Sequence, residues 1–221
     1  MKVAYTAAAH SISLSREEHE GLGIPYQYPH LTDPQLLQDY LLGYIEADAV
    51  VCPSFLSAGV MKSYGCKNVF VIPHGVDLPP EVPPQPAKFT VGYFGAIGPD
   101  KGLRYLLAAW KKLAYRDAVL ILGGRASVNA VNFVRTFGGG NVEIMGGVDD
   151  IGDFYKRISL YVQPSVSEGF GIEVLEAMAY GRAVIASKGA GASEAIQNDS
   201  RFEIRDPDEI ARKIERLRSL G

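Results

Sequence analysis

Ser165-Val-Ser-Glu168-Gly-Phe-Gly171-Ile-Glu-Val-Leu-Glu176-Ala-Met-Ala-Tyr-Gly181-Arg-Ala-Val-Ile-Ala-Ser187 reads as a strand end, a tight glycine loop, a helix, a glycine stop and a second strand. Glu168 stands at the loop and Glu176 one to two turns into the helix. The residues Gly169, Phe170 and Gly171 leave backbone N–H groups at the helix N-terminus, where the helix dipole adds positive potential. Such a loop suits a phosphate or diphosphate. Carboxylates on either side gain nothing from the phosphate itself and are suited to accept hydrogen bonds from sugar hydroxyls. A phosphate and a sugar held side by side point to a nucleotide sugar.

Outward from this stretch the chain keeps alternating. Strands are predicted at 89–94, 118–122, 142–145, 160–164, 183–187 and 201–204, with helices at 101–115, 127–137, 151–157, 193–197 and from Pro207, where Asp206 is the N-cap. Leu103, Leu106, Leu107, Trp110 and Leu113 form the apolar stripe of the first of these helices. Alternation of this kind builds a doubly wound parallel sheet, which binds ligands at the carboxyl ends of its strands. Ahead of it lie three more predicted strands, 3–8, 49–53 and 69–73, and helices at 34–47 and 54–64. Leu37, Leu41, Tyr44 and Ile45 mark one buried face of the helix at 34–47. Residues 11–32, rich in Gly, Pro, Tyr and His, read as a functional or mobile loop. The proline cluster beginning at Pro79 reads as a stiff linker. The expected organisation is therefore α/β: a truncated Rossmann-like N-terminal domain (1–78), a linker (79–87), a Rossmann-like nucleotide-sugar domain (88–205) and a C-terminal helix (206–221).

Composition narrows the function. A hydrophobic content of 47% suffices to cover a parallel sheet on both faces, and a net charge of -3 gives no basic field for nucleic acid. No apolar run reaches the length of a membrane-spanning helix, and Met1-Lys-Val-Ala-Tyr-Thr reads as a strand in place of a signal peptide. Cys52 and Cys66 fit no metal spacing and read as buried thiols in a reducing compartment, hence a cytoplasmic protein. With neither His-Glu-x-x-His nor Asp-x-Asp near a strand end, no metal site is expected. Gly92-x-x-Gly95-x-x-Gly98 departs from the Gly-x-Gly-x-x-Gly of dinucleotide oxidoreductases.

The stretch from Glu168 to Ser187 resembles the Glu-x7-Glu motif of retaining glycosyltransferases of the GT-B fold, above all glycosyltransferase family 4. The likeness runs through Gly169, Gly171, Glu176, Ala177, Met178, Ala179 and Gly181. It implies that Glu168 faces the donor sugar and Glu176 binds the ribose hydroxyls. Phe94-Gly-Ala-Ile-Gly-Pro-Asp-Lys-Gly102 is similar to the family's Gly-Arg-…-Lys-Gly loop, in which Arg and Lys hold the diphosphate. Lys101 matches the Lys, Gly95 and Gly98 allow close backbone approach, and Ala96 stands where the family has Arg. Arg125, which also follows a strand, is the other cation available to replace it. Val142-Glu-Ile-Met-Gly-Gly-Val148 resembles the strand and loop that hold the base, which assigns Gly146 and Gly147 to the base pocket. Pro73-His-Gly-Val-Asp77 resembles an interdomain segment, with His74, read as structural, in place of Asn. A strand ending in a His, here His10, implies a contact with donor sugar or acceptor at the acceptor-side wall.

The resemblance thus implies Glu168, Lys101 and His10 for catalysis. For donor binding it implies Gly95, Lys101, Gly146, Glu168, Gly169, Phe170, Gly171 and Glu176. The implied reaction moves a sugar from a nucleoside-diphosphate sugar such as UDP-glucose or GDP-mannose to a hydroxyl of a glycan, lipid or protein, with retention and without metal or cofactor. The first half matches only from His10 to Asp77, and its three strands leave an exposed edge. A homo-oligomer, a partner chain or a minimal acceptor domain each accounts for that edge. The rival reading is a non-catalytic sugar-nucleotide-binding or scaffold subunit.

Overall fold

The structure, a computed structural model, describes residues 2–5, 17–18, 20–21, 34–97, 101–124 and 128–220. Its first part is a parallel sheet of Val3–Tyr5 (β1), Ala49–Cys52 (β2) and Val69–Val71 (β3), in that order. Pro34–Ile45 (α1) and Phe55–Ser63 (α2) connect them. Val50, Cys52, Ala58, Met61 and Cys66 make the core of this part, with Tyr44 and Ala47 packed against it. Both cysteines are free thiols in that core, and burial raises the pKa of each. The face expected of α1 is only partly realised: Leu41 and Tyr44 are half-buried, but Ile45 is 39% exposed, because the helix meets the sheet through Tyr44 and Ala47. The side chain of Leu37 and most of the 11–32 loop lie outside the described residues. On β3 and just beyond it, Phe70 and Ile72 face solvent, at 57% and 60% exposure.

The second part is a six-stranded parallel sheet of Thr90–Phe94 (β4), Val119–Gly123 (β5), Val142–Gly146 (β6), Leu160–Gln163 (β7), Ala183–Ser187 (β8) and Arg201–Phe202 (β9). Its order is β6-β5-β4-β7-β8-β9. The helices are Leu103–Leu113 (α3), Val128–Phe137 (α4), Ile151–Tyr155 (α5), Glu173–Ala179 (α6) and Pro207–Ser219 (α7). The strands supply the two faces by simple alternation. Leu120, Leu122, Leu160, Val162 and Ile185 join Leu106, Trp110 and Ile214 of α3 and α7 on one side. Ile121, Tyr161, Val184 and Ala186 join Phe154, Val174 and Ala177 of α5 and α6 on the other. The predicted α3 stripe is the one buried, with Leu113 at its margin. Asp206 caps α7 as expected, accepting the Glu209 N–H at 2.8 Å.

The helix expected at 193–197 is instead a 3-10 turn over Gly191–Ala195. Its first amides are taken by the 168–171 loop: Gly191 N–H reaches Glu168 O at 3.3 Å and Ala192 N–H reaches Phe170 O at 2.7 Å. That pairing fixes the start of the turn against the loop.

Charged side chains help to tie the parts together. Glu194 accepts the N–H groups of Phe55 at 2.9 Å and Leu56 at 2.7 Å, so its carboxylate caps the start of α2, which also carries the Ser54 cap. The proline-rich stretch has neither helix nor strand, yet it does not hang free. Arg182, 4% exposed, donates to the carbonyls of Pro83 at 2.7 Å and Pro84 at 3.1 Å and to the Gln85 side chain at 3.1 Å.

Candidate functional site

The sheet order reverses between β4 and β7, and the crevice for a ligand in such a sheet opens at the carboxyl ends of those two strands. The loop after β4 carries Lys101 and the loop after β7 carries Glu168. Their side chains form an ion pair there, although 67 positions separate them. Both are largely shielded, at 23% and 19% side-chain exposure. Gly102 makes the approach feasible. It has φ of +66°, and a Cβ there would lie 1.9 Å from the Pro164 carbonyl oxygen. No side chain fits between α3 and the end of β7, so Lys101 is seated beside the 165–171 loop.

Glu168 is held from behind, its N–H bonded to Gly189 O at 2.9 Å. Gly171 turns the loop into α6 with φ of +83°. Helical bonding starts with Val174 N–H on Gly171 O at 3.1 Å and Glu176 N–H on Ile172 O at 3.0 Å. The amides ahead of Val174 are thus not consumed by the helix. Phe170 turns its ring inward, 6% exposed, with the His74 ring edge-on at 4.9 Å. His74 therefore joins the interdomain segment to the loop. The Gly169 carbonyl receives the Ser54 hydroxyl at 3.4 Å.

Glu176 sits one turn into α6 and accepts the Tyr155 hydroxyl at 2.8 Å. Burial, then the nearby Glu176 charge, raises the Tyr155 pKa and keeps the hydroxyl a donor. Glu173 and Glu176 line a cavity of about 560 Å³ together with Phe94, Val148, Asp149 and Ile172. A second cavity of about 610 Å³ shares Ile151, Ile172 and Glu176 and runs to Asp77 and Pro79. Each volume lies in the range of roughly 300–1,000 Å³ typical of small-molecule sites.

Of the other sequence-derived residues, Gly95 lies at the end of β4 with φ of +148°, its N–H on Gly123 O at 3.1 Å. A Cβ at Gly95 would come within 3.8 Å of Glu173 Oε1, so it faces the same crevice. Gly146 ends β6 with φ of +79° and accepts the Gly124 N–H at 2.7 Å; it and Gly147 have open space beside them. His10, Gly98 and Arg125 lie outside the described residues. Among the described residues no group of three or more His, Cys, Asp or Glu is placed to hold a metal ion.

Glu173, Tyr155 and Glu194 escaped the sequence reading. Glu173 carried a usable signal, sitting three residues before Glu176 on the same helix face. Burial raises its pKa, and Glu168 adds to the rise, against its own backbone N–H and Lys101, which lower it. A folded-state pKa above the unfolded one means that the folded protein holds a proton the unfolded chain has shed. Glu173 thus contributes stability below the ordinary carboxylate range, and that contribution is lost as pH rises through the folded value. Glu173→Gln is expected to flatten this fall. Urea midpoints from pH 4 to 8 check it, and parallel curves for the two proteins would contradict it.

A family model described as glycosyl transferases group 1 matches residues 88–219. The chain belongs to that family. Group 1 relatives include the lipopolysaccharide core biosynthesis mannosyltransferase LpcC of Rhizobium leguminosarum bv. viciae, 34% identical over 147 residues, which cover 57% of this chain and 42% of that protein. The D-inositol 3-phosphate glycosyltransferase of Segniliparus rotundus is 28% identical over 213 residues, 80% of this chain and 47% of that protein. The chain thus spans less than half the length of these curated relatives. Among solved structures, Anabaena Alr3699/HepE in complex with UDP and glucose superposes with a TM-score of 0.76 at 21% identity, over 97% of this chain and 61% of that one. Sucrose-phosphate synthase from Thermosynechococcus elongatus does so with 0.78 at 20% identity, over 98% of this chain and 58% of that one. At such identities the likeness is one of fold, and the fold is GT-B. No helix among the described residues is long and apolar enough to cross a membrane.

Proposed function

We propose that this group 1 chain is a retaining glycosyltransferase of the family 4 type, transferring a sugar from a nucleoside-diphosphate sugar to a hydroxyl acceptor without a metal ion. The observation that carries this reading is the convergence of Lys101 and Glu168 at the switch-point crevice, with Glu176 on the wall of the adjoining cavity. Lys101 and the 169–171 amides stabilise the departing diphosphate, an electrostatic contribution that grows as the glycosidic bond breaks. Glu168 orients the sugar hydroxyls, and Glu176, fixed by Tyr155, receives the ribose. Gly95 leaves room for the diphosphate and Gly146 for the base. Ala96 leaves Lys101 as the main side-chain cation at the diphosphate.

The UDP in the HepE structure and the mannosyl transfer named for LpcC support UDP- and GDP-sugars as the first donors to try. The acceptor is a glycan, lipid or protein hydroxyl, and two buried free thiols suit a cytoplasmic setting. The test is hydrolysis and transfer over a panel of nucleotide sugars, with and without excess EDTA. One donor is expected to be turned over equally in both conditions. Complete loss in EDTA restored by Mg²⁺ or Mn²⁺ contradicts metal independence. Nucleotide binding without turnover of any donor leaves the scaffold reading standing.

A further inference from the structure

Glu18 is fully buried, and its partners come from far along the chain. Its carboxylate meets Arg205 Nε at 2.6 Å, Arg104 Nη2 at 3.0 Å and the Tyr105 hydroxyl at 3.0 and 3.2 Å. Glu17 beside it takes Arg205 Nη2 at 3.0 Å, and the Arg104 guanidinium also reaches the Tyr105 hydroxyl. Two carboxylates face two guanidiniums, so the group is electrically balanced. A buried carboxylate stripped of such partners would be strongly destabilising.

The place of this cluster gives it meaning. Arg104 and Tyr105 lie in the first turn of α3. That helix begins at Gly102 in the left-handed conformation, with no side-chain cap and no acidic residue in its first turn. A helix start without a cap is prone to fray. Lys101 stands immediately before it, so its position is not secured by its own helix. Contact with Pro164 at Gly102 seats it on one side. Glu18 grips the first turn on the other, and through Arg205, whose φ is +65°, it joins that turn to the start of α7.

We propose that Glu18 is a positioning residue for Lys101: by holding Arg104 and Tyr105 it fixes the start of α3, and so the cation that Glu168 and the donor diphosphate share. This rests on the donor-site reading above. It also gives Glu18, remote from the crevice in sequence, a role in the site.

A double-mutant cycle on the full chain tests it, with calorimetry of UDP and GDP as probes and thermal melts alongside. Glu18→Gln is expected to weaken nucleoside diphosphate binding about tenfold, because a mobile Lys101 loses much of a charge-assisted bond. In a Lys101→Ala background the same change is expected to have almost no further effect, and Glu18→Asp should retain most of the wild-type affinity. Wild-type affinity in Glu18→Gln, or an equal loss in both backgrounds, overturns the proposal, since a merely structural residue acts additively. If Glu18→Gln fails to fold, Tyr105→Phe, which removes the hydroxyl's bonds to Glu18 and Arg104 but no charge, takes its place in the same cycle: loss only when Lys101 is present supports the proposal, and no loss or an equal loss overturns it. If the wild type binds neither nucleotide, the functional reading fails by itself. Amide exchange at 103–106 then decides the tie: faster exchange in Glu18→Gln, or in Tyr105→Phe, supports it, and unchanged exchange overturns it.

Discussion

Glu168→Ala is expected to lower turnover by roughly one to two orders of magnitude while leaving nucleoside diphosphate affinity unchanged or tighter. Hydrogen bonds to a charged group contribute about 1.5–3 kcal/mol, and each 1.4 kcal/mol is tenfold in rate. If the Glu168 carboxylate orients the sugar, that loss falls on the reaction and not on the nucleotide. Its removal also releases Lys101 from the ion pair seen between them, which makes the cation more available to the diphosphate. Steady-state kinetics with the donor found in the panel, together with calorimetry of UDP or GDP, read the two quantities separately. A variant that loses affinity and keeps turnover would place Glu168 at the nucleotide and not at the sugar. Circular dichroism must show the variant folded.

Gly102→Ala is expected to destabilise the protein by roughly 2–5 kcal/mol, combining about 1–2 kcal/mol for a left-handed residue with a Cβ and about 1–3 kcal/mol for overpacking. The neighbour in the way is the backbone carbonyl of Pro164, 1.9 Å from the added carbon, and backbone has little freedom to give. Relief requires α3 to separate from the end of β7, which carries Lys101 away from Glu168. Urea denaturation gives the stability change, and a loss under about 1 kcal/mol, the low end of the overpacking range, would mean that the two segments approach less closely than described.

Much of the second sheet was legible because its signals are local. Val119–Leu122 and Leu160–Val162 stand out as short apolar runs, Trp110 and Leu106 recur at the helical period, and Asp206-Pro207 announces a helix start. Glu168, Lys101 and Glu176 were legible because each sits in a short motif at a strand end, and the fold then brings Lys101 and Glu168 into contact. What was not legible depends on burial or on partners distant in sequence. The raised pKa of Glu173 comes from packing that no spacing records. Glu194 finds the amides of Phe55 and Leu56, and Glu18 finds Arg205, across stretches where no periodicity operates. Ile45 was misplaced for a related reason: at the end of α1 it is Tyr44 and Ala47 that pack against the small sheet, and Ile45 is left exposed.

The carboxylate of Glu194 at the start of α2 bears on how the crevice opens. Swinging the small sheet away from the large one as a rigid hinge would break both amide bonds to Glu194 and return a charged group to water. At about 1.5–3 kcal/mol for each hydrogen bond to a charged group, an opened arrangement would be populated at roughly one part in a hundred or less. The docked proline stretch adds a second restraint near the pivot. A rigid swing of the small sheet is therefore disfavoured, and a change of the crevice that keeps Glu194 docked falls to the loops at the strand ends.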